Sequence, residues 1–469
     1  MSNPGGATVD RPQEAADSTG RHVVVVGAGL SGLTAALRLS AAGARVTVLS
    51  AVPSPVAAST PNLEPGSQTM VDNGQHVFLR CCDRFVALLD KLGIAANTRL
   101  QERLSVRVYD RDGRWSTLSA QRLPPPLHLL LSLTTYRHLS LLEKLRAAVA
   151  LLKIGRTSDR KRRALDGVPF GAWLRRNGQS DRAIRNLWDL IATPTLNERA
   201  EDASCAMAFK VFRTALLEGR RNADLGYATV PLDELVAPAA LSRIEASGGR
   251  VVLGTAVQEI SARDGRVQVA AGETYEADAV VVAVPFQSLP QFAPEIGLGG
   301  VVEAASGLHT SPIVNVHLWL DRPVLDVEFA AVLDSPLQFV FNRDLMMSRR
   351  DWTGHYLDVS ISAAHDCVGL PNDEVLRIVV DELRHVFSSA RDAMVLKSAV
   401  VRQRHATLSP APGSLALRPP MGATFGNVVL AGDWLDTDWP GTMEGAVRSG
   451  EAAGAAVIAR LAIPAAPPL

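Results

Sequence analysis

The chain has 469 residues, 47% of them hydrophobic, with 48 basic residues balancing 48 acidic ones and a mean hydropathy of +0.10. That length buries a large core and divides over two intertwined domains, while the balanced charge excludes a global field that would draw the chain to nucleic acid. No stretch reaches the roughly twenty uninterrupted apolar residues that span a bilayer. Four cysteines, Cys81, Cys82, Cys205 and Cys367, show no metal-ligand spacing and read as reduced thiols of a cytoplasmic protein, with no metal.

The first twenty residues are polar, lack the apolar core of a signal peptide, and are predicted to form a disordered tail. From Arg21 to Ser50 the pattern is strand, tight turn, helix, strand. Val23 to Val26 lead into Gly27-Ala28-Gly29-Leu30-Ser31-Gly32, Leu33, Ala36 and Leu37 follow at helical spacing, and Arg45 to Leu49 read as the second strand. Backbone that approaches a pyrophosphate needs no side chain at Gly27 and Gly29, and close packing of the helix on the sheet accounts for Gly32. The phosphates then sit at the helix N-terminus, where free N–H groups and the helix dipole favour negative charge. An ordinary strand-turn-helix crossover is the plain alternative. The second strand of a dinucleotide unit usually ends in Asp or Glu, a ribose ligand, and here the position carries Ser50.

Ala51 to Gly66 reads as a loop, Val71 to Phe78 places the polar cluster Asp72-Asn73-Gly74-Gln75-His76 between apolar residues, and Phe85 to Leu92 reads as a helix. Leu100 to Leu235 is predicted to be largely helical, anchored by Trp173, Leu174, Leu187, Trp188, Leu190 and Ile191. Within it, Pro124-Pro125-Pro126 opens a leucine-rich helical stretch, Leu127 to Leu152. A basic run follows, from Lys153 and Arg156 through Arg160, Lys161, Arg162 and Arg163. An apolar face with a cationic flank can lie in the interface of an anionic membrane; the competing reading is a buried helix and a solvated basic loop. Gly248 to Leu253 begins a new strand, Ala256 to Ile260 continues into a hairpin around Asp264-Gly265, and Ala279 to Val284 is a buried parallel strand. Ile313 to Leu320 reads as a strand, Asn372 to Phe387 as a helix, Asn427 to Leu430 as a short strand leading to Ala431-Gly432-Asp433, and Gly441 to Ile458 as a small-residue helix. Strands that open, interrupt and close the chain predict a discontinuous nucleotide domain, 21–100, 236–290 and 396–463, with a substrate domain, 101–235 and 291–395, inserted in two pieces.

Four patches together resemble the flavin-dependent amine oxidase and phytoene desaturase superfamily. They are Gly27 to Gly32; Asp72 to His76; Leu187-Trp188 through Thr195-Leu196-Asn197 to Ala203-Ser204; and Ala431 to Trp434 through Trp439 to Ala446 to Ser449-Gly450. The second and third, with Trp439-Pro440, resemble the hydroxysqualene dehydroxylase branch. The resemblance spans nearly the whole chain after the tail and implies an α/β fold, a discontinuous Rossmann-like FAD-binding domain with an inserted α+β substrate domain. It also implies FAD as cofactor, held by Gly27, Ala28, Gly29, Gly32, Ser50, Gly432, Asp433, Thr442 and Met443, with the Val257 backbone near the adenine. Asp433 would bind the ribityl or phosphate chain, and the helix opened by Gly441 to Gly445 would stabilise negative charge on the reduced flavin. Without the first glycine turn, an Asp-ended strand and a packing helix would explain this last patch. The Gly-Gly-Arg segment usual after the second strand is replaced by Val56, Ala57, Ala58 and Ser59, so weakened FAD binding is expected.

The implied reaction is FAD-dependent reductive dehydroxylation of hydroxysqualene to squalene, on the route to hopanoids. Partners are then a C30 polyprenoid, an external electron donor and, peripherally, the inner face of the cytoplasmic membrane. A departing hydroxyl must be protonated, in a pocket otherwise dry and apolar. His76 is the first candidate acid because imidazole titrates near neutrality, against a role in fixing its loop. Asp72 and Glu444 follow, with capping or helix-terminus roles as their structural readings, and Trp188 and Trp439 read as pocket walls or core. Carotenoid-type desaturation or isomerisation shares the fold, and a prenyl-chain carrier without redox chemistry would be colourless. Amine oxidases often place a lysine near the flavin from a substrate-domain strand, and Gln291 to Ala330 contains none.

Overall fold

The structure, a computed structural model, describes residues 20–53, 72–263, 265–348, 350 and 352–463. The expected tail apart from Gly20, the Val56 to Ser59 segment, Val71 and Asp264 lie outside the described residues. In chain order, the elements that place the site are β1 (His22–Val26), α1 (Leu30–Ala41), β2 (Arg45–Leu49), α2 (Asp83–Leu92), α3 (Leu141–Arg156), α4 (Asp159–Arg163), β3 (Ala279–Val282), β4 (Thr310–Leu320), β5 (His355–Ser362), β6 (Val395–Leu408), β7 (Val428–Leu430) and α5 (Met443–Arg460).

The valine run of β1 is buried on both faces because it is the inner strand of a six-stranded sheet, ordered 424–425, β7, β3, β1, β2, 250–252. Val23 stands opposite Val46 of β2 and Ala279 of β3, both in parallel, and only the pairing of 424–425 with β7 is antiparallel. One face packs Val23 and Val25 against Leu33, Ala36 and Leu39 of α1 and Val447 and Val457 of α5. The other packs Val24, Val26, Val280 and Val282 with Ile260, Val267 and Val269 of an antiparallel three-stranded sheet, 259–277. Near-continuous apolar strands are what two covered faces require.

The second large sheet has seven strands, ordered β6, β4, β5, 339–342, 329–332, 105–109, 115–119. Val314, Val316, Leu318 and Leu320 of β4 point to one face, where Val375, Val379 and Leu383 of the helix Asn372–Val386 cover them. Alternation leaves Asn315, His317 and Trp319 on the other face.

Three expectations change. The Leu100 to Leu235 region also contains the strands Ser105–Tyr109, Trp115–Ser119 and Leu225–Ala228; the second pairs with the first as a local hairpin, while the first and third find partners elsewhere in the chain that override local propensity. Leu127 to Leu152 is broken into a turn, a short helix Leu130–Thr135 and α3, which Ser140 and Glu143 start as a capping box. Finally, β6 starts at Val395 and pairs along β4, so the expected boundary at 396 falls within the seven-stranded sheet.

Candidate active site

After β1 the chain turns back on β3 so closely that a Cβ on Gly27 (φ +109) would stand 2.3 Å from the Ala283 carbonyl oxygen. A Cβ on Gly32 would stand 1.9 Å from the Gly27 oxygen, so neither position admits a side chain. Gly29 differs: it caps α1 with φ −72, and nothing stands within 4 Å of a Cβ built there. No side chain caps α1 and its first turn holds no acidic residue. Its leading N–H groups therefore present an uncompensated positive helix terminus, the environment a pyrophosphate needs.

The segment after β7 lies against this turn. Gly432 N–H donates to Ser449 Oγ at 2.9 Å, and α5 crosses α1 where a Cβ on Gly450 would meet the Ser31 oxygen at 2.3 Å. The Asp433 carboxyl is pushed up by desolvation, with the Arg418 guanidinium opposing the shift. Gly441 brings the chain past it: a Cβ there would lie 3.3 Å from Asp433 Oδ2 and 2.9 Å from Leu408 Cβ. Thr442 caps α5, its Oγ1 accepting from Gly445 N–H at 3.3 Å, and Met443 is the first helical residue. Arg418 shapes the whole segment by donating to the carbonyls of Asp433 (2.8 Å), Trp434 (3.2 Å), Leu435 and Trp439 (2.9 Å). Nothing local in the sequence signals that role. On the outer side of β2, Ser50 N–H donates to the Val252 carbonyl at 3.0 Å and its own carbonyl accepts from Thr255 N–H at 2.8 Å, two residues before Val257. Two helix N-termini, an open glycine and a carboxylate for hydroxyls fit a dinucleotide cofactor.

The loop 72–76 covers the polar face of the seven-stranded sheet. Asp72 pairs with Arg343 Nη2 at 2.6 Å and accepts from Leu232 N–H at 3.1 Å, and Gln75 accepts from Arg343 Nη1. Asn315 Nδ2 donates to the Asn73 carbonyl at 2.7 Å, so close to Gly74 that a Cβ there would meet it at 2.5 Å. His76 Nδ1 lies 3.1 Å from the Gly74 carbonyl, and desolvation holds its imidazole below the ordinary range. Beneath the loop, the Tyr356 hydroxyl is 2.9 Å from His317 Nδ1, and Asp358 Oδ1 is 3.8 Å from the same nitrogen. In the third patch Asn197 (φ +52) ends its helix and ties it to Ser311 and Thr407, each at 3.0 Å.

Several expected roles change with this geometry. Glu444 is fully buried; its Oε2 accepts from Phe85 N–H at 2.9 Å and its Oε1 from Arg448 Nε at 2.6 Å. It closes the N-terminus of α2, which has no side-chain cap of its own, and burial pushes its carboxyl up to about 7. Asp72 is likewise engaged, by Arg343 and Leu232, in holding the loop. Trp188, by contrast, takes one of its two expected roles, that of core, with its indole donating to Gln179 at 2.9 Å. The basic run is split: Lys153, Arg156, Arg160 and Lys161 are exposed, whereas Arg162 is 1% exposed and bound to Asp438, and Arg163 is bound to Asp436. The polar residues His317, Arg343, Tyr356 and Asp358 escape a sequence reading, because alternation along β4 reveals a polar face but not what covers it.

A family model described as flavin containing amine oxidoreductase matches residues 30–458. The 15-cis-phytoene desaturase of Synechococcus elongatus is 24% identical over 460 residues, covering 94% of this chain and 96% of the relative. The hydroxysqualene dehydroxylase of Zymomonas mobilis is 24% identical over 437 residues, covering 92% and 97%. Among solved structures, putrescine oxidase bound to putrescine superposes with a TM-score of 0.71 at 18% identity over 94% of this chain and 99% of that one. Cyclohexylamine oxidase from Brevibacterium oxydans gives 0.67 at 20% identity over 94% and 100%. At these identities the structures show a shared fold.

Proposed function

Because the chain belongs to the flavin containing amine oxidoreductase family, with FAD as its cofactor, we propose that its reaction is the reductive dehydroxylation of hydroxysqualene to squalene. The observation that carries this reading is the buried polar group of Asn315, His317, Tyr356 and Asp358 on a sheet face under the loop 72–76. A hydrocarbon asks only for dry apolar walls, whereas a substrate losing oxygen needs hydrogen-bonding groups where that oxygen sits. Gly27, Ala28, Gly29, Gly32, Ser50, Val257, Gly432, Asp433, Thr442 and Met443 are the residues we assign to FAD. When bound and reduced, FAD supplies the hydride. The chain's part is to hold the allylic alcohol, exclude water and deliver a proton to the oxygen, so that the C–O bond breaks as the C–H bond forms and water leaves. The desaturase relatives favour a second reading, desaturation of a carotenoid precursor on the same fold.

Substrate delivery has a candidate surface. Leu141, Leu142, Leu145, Val149 and Leu152 are exposed along one side of α3, Leu141 by 74% and Leu145 by 58%, with Leu127 and Leu131 nearby. Exposed Arg146, Lys153 and Arg156 stand among them. Among the described residues no helix is long and apolar enough to cross a membrane, so this face suits contact within the interface of an anionic leaflet. A hollow of about 540 Å³ opens beside it, lined by Pro126, Leu151, Leu152 and Leu217 and by the charged Arg156, Asp159, Arg213 and Glu218. We place the enzyme peripherally on the inner face of the cytoplasmic membrane.

Purified protein reduced with dithionite in the presence of FAD is expected to convert hydroxysqualene to squalene, identified by mass spectrometry. Desaturation of phytoene by the oxidised protein, with hydroxysqualene left intact, would overturn the assignment in favour of the second reading.

A further inference from the structure

We propose that His317 is the catalytic acid that protonates the departing hydroxyl, with Tyr356 and Asp358 as its positioning residues; this rests on the reductive dehydroxylation reading above. The register of β4 and β5 sets His317 opposite Asp358 and Trp319 opposite Tyr356, so the four side chains share one face. The Tyr356 ring is stacked on Trp319 (centroids 4.5 Å apart, 15° between planes) and braced edge-on by Trp352 at 4.9 Å, which fixes its hydroxyl 2.9 Å from His317 Nδ1. With that hydroxyl donating, the imidazole carries its hydrogen on Nε2. Nε2 is buried without a hydrogen-bond partner, and so are both Asp358 carboxylate oxygens and Asn315 Oδ1.

Such groups are costly, and a protein that only contained hydrocarbon would have no use for them. The loop 72–76 is held chiefly by Asn315 and Arg343 through their other atoms; the His317 ring lies against the Asp72 backbone, and Asp358 makes no hydrogen bond to the loop. The loop also connects this face to the cofactor cradle: a few residues on, the chain enters α2, whose first amides are bound by Glu444 in the opening turn of α5. Asp358 Oδ1, at 3.8 Å from Nδ1, is too far for a hydrogen bond and acts on the imidazole through space.

In the step itself, the alcohol oxygen takes the Nε2 proton, the C–O bond breaks and water leaves; reduced FAD, when bound, would supply the hydride for the new C–H bond. Nδ1 takes the Tyr356 proton. The resulting phenolate lies beside the Arg343 guanidinium, 5.9 Å from the ring, until solvent reprotonates it.

The test uses FAD-loaded full-length protein reduced anaerobically, in single turnovers with hydroxysqualene and with its acetate ester, whose carboxylate leaves without a proton. His317→Gln is expected to keep parental flavin content, to slow squalene formation from the alcohol by about 10²- to 10⁴-fold, and to stay within about threefold of the parent on the ester. Tyr356→Phe, which keeps the ring stack, should show the same split more weakly and carries the test if His317→Gln does not fold. A second readout is binding to the oxidised protein, followed by tryptophan fluorescence. The parent should prefer hydroxysqualene over squalene by about tenfold, a preference His317→Gln loses. Equal slowing on alcohol and ester would make His317 structural and overturn the inference. So would parental rates in His317→Gln, and both outcomes leave the dehydroxylation reading standing. A parent that binds hydroxysqualene but forms no squalene overturns the dehydroxylation reading, and the acid role with it.

Discussion

Gly29 and Gly32 belong to one turn yet face opposite constraints. At Gly29 the backbone is ordinary and no atom stands within 4 Å of a Cβ, so Gly29→Val should fold with the melting temperature of the parental apoprotein while its isopropyl group fills the space above the α1 terminus. Flavin absorbance of the purified variant should fall at least about tenfold, as expected when a side chain displaces a bound phosphate. Flavin content equal to the parent's would remove Gly29 from the site. Gly32→Ala places a methyl group 1.9 Å from the Gly27 oxygen and should lose about 1–3 kcal/mol or more of stability, read as a lower melting temperature with or without FAD. His76 is decided by its other nitrogen. With Nδ1–H given to the Gly74 carbonyl, the neutral ring presents a bare Nε2 that accepts, and its lowered pKa keeps it neutral. His76→Gln, able to replace the loop bond, should therefore turn over hydroxysqualene within about threefold of the parent. A loss of about two to four orders of magnitude in single turnover would restore the acid role to His76.

At the scale of elements, α3 is amphipathic in an unusual sense: Ala147, Ala150 and Ile154 are buried while Leu141, Leu142, Leu145 and Leu152 look outward. Replacing Leu141 and Leu145 by serine should change stability by under about 0.5 kcal/mol, since both are exposed. Each buried leucine is worth about 1.5–3 kcal/mol, so the pair should weaken sedimentation with anionic vesicles by about a hundredfold or more. Parental sedimentation would remove the docking face. The electrostatic share belongs to the exposed Arg146, Lys153, Arg156, Arg160 and Lys161, because Arg162 and Arg163 hold Asp438 and Asp436. A different junction, α5 to α2, carries a pH signature. The Glu444 carboxyl is raised from 4.5 to about 7 in the folded protein, so the native state binds more protons than the unfolded chain between those values. Its contribution to stability is full below about pH 4.5 and is lost as pH rises through about 7. Glu444→Gln should flatten that part of the melting-temperature profile, and an unchanged slope would place the titration elsewhere.

For the whole molecule, the proposed FAD site would join the turn after β1, the Ser50 edge and the α5 terminus, which are far apart in sequence. Added FAD at about a hundred times its dissociation constant should stabilise the apoprotein by about 2.7 kcal/mol, visible as a concentration-dependent melting temperature absent in Gly29→Val. Much of this cradle was legible in the chain itself. The turn Gly27 to Gly32, the Val23 to Val26 strand and the Asp433 to Gly445 segment are contiguous, and their glycines answer to backbone geometry that local spacing expresses. The loop 72–76 was visible as a polar cluster, but not what it covers. His317, Arg343, Tyr356 and Asp358 meet because β4 and β5 pair in one register and the loop folds over them from 240 to 290 residues away in sequence, roughly, a consequence of long-range strand pairing. Arg162 and Arg163 read as a free basic run until Asp436 and Asp438 were placed beside them. The sequence by itself therefore determined the nucleotide fold, whose signals are local turns and apolar periodicities. Only the tertiary structure decided the polar chemistry, since a side chain's charge, partner and burial depend on which distant strand or loop packs against it.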